Sequence, residues 1–203
     1  MRYTLCTSAS FEAVVRKSRF LALARTIDSP QAAMDFLAAH RLSDASHHCW
    51  AYRLDAVYRF HDDGEPGGTA GRPILQAIDS QQCDHIVVLV IRWFGGVKLG
   101  TGGLMRAYGG TAAQCLRLAE KTVLVDEVRV DCRCPFADMA LVRARLSGFD
   151  ARIGAEKFDT QGAVWQLMLP RAQAHAFLAA FSQLTRGQGR AQMHDDDTAT
   201  RMS

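Results

Sequence analysis

Apolar positions along the chain switch between a period of two and a period near 3.6, and the switches mark its elements. Residues 11–27 alternate weakly and read as a strand pair around Lys17-Ser18-Arg19. Ser29-Pro30 is a helix start, with Ser29 as N-cap and Pro30 in the first turn. Ala33, Phe36, Leu37 and His40 then form one helical face. His47–Leu54 alternates as a strand with Trp50 and Tyr52 on one side, and 57–60 is its candidate hairpin partner. Pro73 opens a helix whose Ile74, Ala77 and Ile78 face inward. An uninterrupted apolar run of six residues, 86–91, has strand length and predicts a strand over 85–94 buried on both faces. A long helix follows from Thr101 or Gly102, with Leu104, Tyr108, Thr111, Cys115 and Leu118 on one stripe.

The pattern changes after Lys121. Val128, Val130 and Cys132 alternate with Arg129, Asp131 and Arg133, as in a half-buried strand. Pro135 and Phe136 begin a helix that ends near Gly148, and strands over 151–158 and 163–169 turn at Thr160-Gln161-Gly162. Ala174, Phe177, Leu178, Phe181 and Leu184 mark an amphipathic helix, and 189–193 is a last strand. The order β-α-β-β-α-β is the split motif of ferredoxin-like domains. The expected division is an α+β domain over 1–121, a ferredoxin-like domain over 122–194 and a disordered polar tail over 195–203.

The chain has 203 residues and a net charge of +3, so overall charge does not force a nucleic-acid partner. Residues 1–121 hold 14 Lys/Arg against 11 Asp/Glu and residues 122–203 ten of each, which places the basic excess wholly in the first part. No run approaches the roughly 18 apolar residues of a membrane span, and the N-terminus lacks an apolar signal core. The expectation is a cytoplasmic protein without a membrane partner. Its six cysteines are scattered, mostly within apolar runs, and read as buried thiols. Cys132 and Cys134 lack the two-residue spacer of redox and zinc motifs and share a strand face.

The strongest chemical signal is 92–110, RWFGGVKLGTGGLMRAYGG. A buried strand delivers the chain to a loop rich in glycine: Gly95, Gly96, Gly100, Gly102 and Gly103. A helix then begins, with free N–H groups and the positive end of its dipole. Such a loop can cradle an anion, with Arg92, Lys98 and Arg106 supplying charge nearby. Trp93 and Phe94 either stack on a base or fill the core. No Gly-Lys-Ser/Thr follows, so this is not a Walker loop.

The second signal is 62–71, DDGEPGGTAG, where Asp62, Asp63 and Glu65 can bind a cation, act as acid and base, pair with the basic loop or Arg72, or form a solvated turn. The third is His47 and Cys49, which share a strand face; with His61 they are a weak metal candidate, or a Cys–His dyad. No metal and no cofactor is expected.

SHHCWAYR, HDDGEPGGTAGRPIL and the 92–110 run, with Lys17-Ser18-Arg19-Phe20, resemble the successive motifs of the IMPACT family, in the bacterial branch that includes YigZ. The resemblance is strong over about residues 10–120 and weaker over 125–195. It implies a ribosomal protein S5 domain 2-like fold first. A ferredoxin-like domain similar to the last domain of elongation factor G follows. Gly67 stands where the family usually has Ser, which argues against an essential hydroxyl there. Eukaryotic relatives regulate translation initiation, partly through a domain this chain lacks. The leading expectation is therefore a non-catalytic, RNA- or ribosome-associated regulator of translation that binds a phosphate-bearing ligand. Its ligand residues would be Asp62, Asp63, Glu65, Arg72, Arg92, Lys98, Arg106 and the loop glycines, with His47, Cys49, Trp93 and Phe94 as secondary candidates. The alternatives are an enzyme on a small phosphorylated or nucleotide substrate, and a protein–protein adaptor for a translation-related partner.

Overall fold

A computed structural model describes residues 2–194, and the expected tail over 195–203 lies outside them. The chain divides into two compact units, Met1–Leu124 and Val125–Ser203. The first contains β1 (Tyr3–Leu5), β2 (Ala9–Val15), β3 (Ser18–Thr26), α1 (Pro30–Ala39), β4 (His47–Leu54), β5 (Val57–His61), α2 (Gly71–Ser80), β6 (Ile86–Trp93), α3 (Thr101–Leu118) and β7 (Lys121–Val123). The division falls three residues later than the expected 121/122 because β7 pairs antiparallel with β1 and so belongs to the first unit. Neither strand stood out in the apolar pattern, since each has only three residues.

The first unit is built on a five-stranded antiparallel sheet in the order β2-β3-β6-β4-β5. Central β6 is buried on both faces, as its continuous apolar run requires. Ile86, Val88 and Val90 join the core beneath α2 and α3, whereas Val87, Leu89 and Ile91 join the core that includes Ala33 and Phe36 of α1. The Ser29 hydroxyl accepts the Ala32 N–H at 3.2 Å, capping α1. On α3, Leu104, Tyr108, Thr111 and Cys115 are buried, but Leu118 is exposed. It is the last residue of the helix, and the core closes at Cys115 and Leu116.

The second unit runs β8 (Glu127–Pro135), a short 3-10 turn, α4 (Met139–Arg145), a second 3-10 turn, β9 (Arg152–Phe158), β10 (Gly162–Pro170), α5 (Arg171–Leu184) and β11 (Arg190–His194). Its antiparallel sheet has the order β11-β8-β10-β9. Val128, Val130, Cys132 and Cys134 share the inner face with Trp165, Leu167 and Leu169, packed against Phe177 and Phe181 of α5. Among the described residues no helix is long and apolar enough to cross a membrane.

Candidate functional site

Cross-strand register sets the first row of the site. Phe20 of β3 and His47 of β4 both pair with Arg92 of β6, so the three are lateral neighbours. Alternation puts them on the α2/α3 face, in line with the buried Ala22, Val90 and Cys49. Arg92 is only 5% exposed, and burial of a guanidinium demands partners. Its Nη1 donates to Glu65 Oε1 at 2.5 Å and its Nη2 to Ser18 Oγ at 3.3 Å. The buried Nε has no hydrogen-bond partner among the described residues. Glu65 Oε1 also accepts from the Tyr108 hydroxyl at 2.7 Å, and His47 Nε2 lies 3.7 Å away. The acidic loop and the end of β6 therefore meet, through a buried ion pair.

The rest of the acidic loop is closed by its own backbone. Asp62 Oδ2 accepts the Gly68 N–H at 2.8 Å, and Oδ1 accepts those of Ala70 at 2.9 Å and Gly71 at 2.8 Å. The carboxylate thereby sits at the start of α2, where the helix dipole favours it. Burial alone would raise its pKa. The N–H groups of Gly68, Gly71 and Ala70, with His61, outweigh burial and hold it below the usual carboxylate range. A Cβ on Gly71 would lie 2.8 Å from the His61 backbone, so the loop can fold back onto β5 only with glycine there. Asp63 Oδ2 accepts the His48 N–H at 2.6 Å. The Asp63 carbonyl lies 2.8 Å from His47 Nδ1, which as the donor carries the proton. Arg72 is exposed on α2, apart from the ion pairs of this loop.

Several secondary candidates have other employment. Cys49 is fully buried and its thiol donates to the Asp62 carbonyl at 3.0 Å. Burial, with Glu65, Asp63 and Asp62 nearby, pushes this thiol far above its ordinary value despite a hydrogen bond with Tyr108. It stays protonated, which corrects the dyad reading, because a nucleophile must be thiolate. His47, Cys49 and His61 do not bring three ligand atoms together. The ligand-type cluster among the described residues is Asp55, Asp84 and His85 at the other end of β6, where Arg2 pairs with the buried Asp84. Trp93 is corrected as a free stacking face: its Nε1 donates to Asp44 at 3.0 Å and its ring carries the Arg19 guanidinium at 3.9 Å. Phe94 is half-exposed, with Arg92 5.5 Å from its ring.

The 94–100 loop between β6 and α3 is open by comparison. A Cβ on Gly95 would stand 2.0 Å from the Lys17 carbonyl oxygen, so this glycine lets the loop press against the β2–β3 turn. The Gly95 N–H donates to Ser18 Oγ at 3.2 Å, tying the same two segments together. Gly96 and Gly100 adopt left-handed φ of 83° and 73°. Lys98 and Arg106 are exposed, and Gly102 and Gly103 lie in the first turn of α3. The turn that meets this loop adds Arg16 and Lys17, both outside the sequence-based site. The signal for them was two adjacent cations at a hairpin tip. Ser18 and Tyr108, both fully buried, were also missed as site residues.

These features define a two-domain α+β protein with antiparallel sheets and a cationic, glycine-rich loop beside a buried Glu–Arg pair. The first unit matches the Impact N-terminal domain over residues 16–116, and the second matches a domain of unknown function, DUF1949, over residues 132–188. The chain is 47% identical over 175 residues to the IMPACT family member in the pol 5′ region of Thermus thermophilus, covering 86% of this chain and 97% of that one. It is 32% identical over 180 residues to the IMPACT family member YigZ of Escherichia coli strain K12, with 85% and 88% covered. It also matches the crystal structure of a hypothetical protein with a TM-score of 0.68 at 29% identity, over 97% of this chain and 98% of that one. The protein belongs to the IMPACT family.

Proposed function

We propose that this protein is a non-catalytic, cytoplasmic regulator of translation that binds RNA, free or in the ribosome, through its phosphates. The contrast in partners carries this reading. Asp62, Asp63 and Glu65 are all engaged by donors of the protein itself. Arg16, Lys17, Lys98 and Arg106 have no carboxylate at salt-bridge distance among the described residues. Unpaired cations gathered around one loop attract a polyanion, and the start of α3 adds N–H groups and dipole. Half-exposed Phe94 offers a ring on which a base can stack.

The finer fold assignment belongs to the same proposal. The first unit is an S5 domain 2-like fold, and the second a ferredoxin-like fold similar to the last domain of elongation factor G. The sheet order β11-β8-β10-β9 supports the second assignment. The role in translation comes from the family resemblance. An enzyme on a nucleotide is the weaker reading, because it needs a carboxylate free to hold magnesium or take a proton.

The test is anisotropy titration of a single-stranded oligoribonucleotide across a salt series. Wild-type affinity falls linearly on a log–log plot, and Lys98→Ala with Arg106→Ala lowers the slope by about 0.7 per lost phosphate contact. Binding that is absent, or equal in wild type and variant, overturns the proposal.

A further inference from the structure

The β2–β3 hairpin turns through two residues, Arg16 and Lys17, between the paired Val15 and Ser18. Both take positive φ, 46° and 69°. A two-residue turn with positive φ at both positions is the type that strongly prefers Asn-Gly, because a Cβ crowds the backbone there, glycine has none, and Asn offsets the cost by local hydrogen bonding. The chain instead carries two long cations at a local cost in stability. Facing this turn, the first turns of α3 present Gly103, Arg106 and Ala107. Between them lies a cleft of about 250 Å³, lined by Val15, Arg16, Leu99, Gly103, Arg106 and Ala107.

We propose that this cleft receives a terminal phosphomonoester, the phosphorylated end of a single-stranded RNA. The inference rests on the RNA reading above and deepens it. Arg16 and Arg106 line the cleft from different elements, the hairpin and α3. A guanidinium fork matches phosphate oxygens in pairs. A monoester carries about 1.5 to 2 negative charges at neutral pH and three free oxygens, where an internal diester carries one charge. The cleft is half-open to solvent, so its choice of a chain end rests on charge. Val15, Leu99 and Ala107 give it an apolar lining, which strengthens charge–charge attraction. Gly103, in the first turn of α3, offers an N–H that the helix itself leaves free.

The experiment compares one oligoribonucleotide sequence with a 5′-phosphate, a 3′-phosphate or hydroxyl ends, and adenosine monophosphate, all against the full chain. One phosphorylated form binds at least about tenfold tighter than the hydroxyl-ended form. That preference fades below about pH 6, as the monoester takes up its second proton. The variant Arg16→Asn with Lys17→Gly loses the preference while its melting temperature rises, so the loss cannot come from unfolding. Arg106→Ala loses it with stability unchanged. Equal affinity for phosphorylated and hydroxyl ends overturns the inference and leaves the RNA reading standing. Binding to no oligonucleotide overturns both. Adenosine monophosphate binding as tightly as the phosphorylated RNA overturns the RNA end as occupant, in favour of a free nucleotide.

Discussion

The two glycine-rich loops of the first unit, 62–70 and 94–100, are similar as strings and opposite as structures. Both are charged, and both follow a strand and precede a helix. The acidic loop is closed: Asp62 holds its own backbone, Asp63 holds β4, and Glu65 is buried against Arg92 and Tyr108. The basic loop is open, with Lys98 exposed on it and Arg106 exposed on α3 just beyond it. The difference follows from side-chain length and sign. Short carboxylates accept N–H groups from the turn they sit in, whereas long cationic side chains carry their charge past the backbone into water. Charge in a loop becomes evidence for a ligand only after the protein's own donors and acceptors have been counted.

The largest test of this contrast removes the carboxylate that ties the acidic loop to β6 and α3. Glu65→Ala leaves Arg92 buried and uncompensated, and urea unfolding should show a loss of about 3–5 kcal/mol. A loss below about 1 kcal/mol would mean that the acidic loop does not depend on the pair, and would break the comparison.

Next in size is Gly95→Ala, which forces the basic loop off the β2–β3 turn and should cost about 1–3 kcal/mol by the same measurement. Gly67→Ala is its control. A Cβ there meets nothing within 4 Å, and the change should stay within about 0.5 kcal/mol. Equal effects at the two glycines would show that the close approach at Gly95 is not obligatory.

The smallest effect concerns acid. Because the folded pKa of Asp62 lies below its ordinary value of 3.8, its contribution to stability is complete above that value. It is lost as pH falls through the lower folded value. Asp62→Asn should therefore lower the melting temperature at neutral pH, and wild type and variant should converge as pH falls through the lowered folded pKa of Asp62. A gap that persists unchanged to low pH would assign the effect to something other than the carboxylate's charge.

Much of this was readable along the chain. The period-two and period-3.6 segments placed the strands and helices of both units, and Ser29-Pro30 announced α1. The six apolar residues that open β6 foretold burial on both faces. Local chemistry also marked both loops, because glycine and charge in a strand–helix connection have few structural uses. What stayed hidden was whatever depends on a partner distant in sequence. The β1–β7 pair joins the two ends of the first unit, and neither three-residue strand has a pattern of its own. Cys49 looked like chemistry and is core. Ser18 looked like part of a turn and Tyr108 like core, and both touch the buried ion pair.

The sequence by itself determined the elements, their order and the two charged loops, because periodicity and turn chemistry act over a few residues. Only the tertiary structure decided which charges are satisfied. Arg92 reaches Glu65 across 27 positions and Ser18 across 74, and no local rule says that these groups cancel while Arg16, Lys17, Lys98 and Arg106 are left facing water.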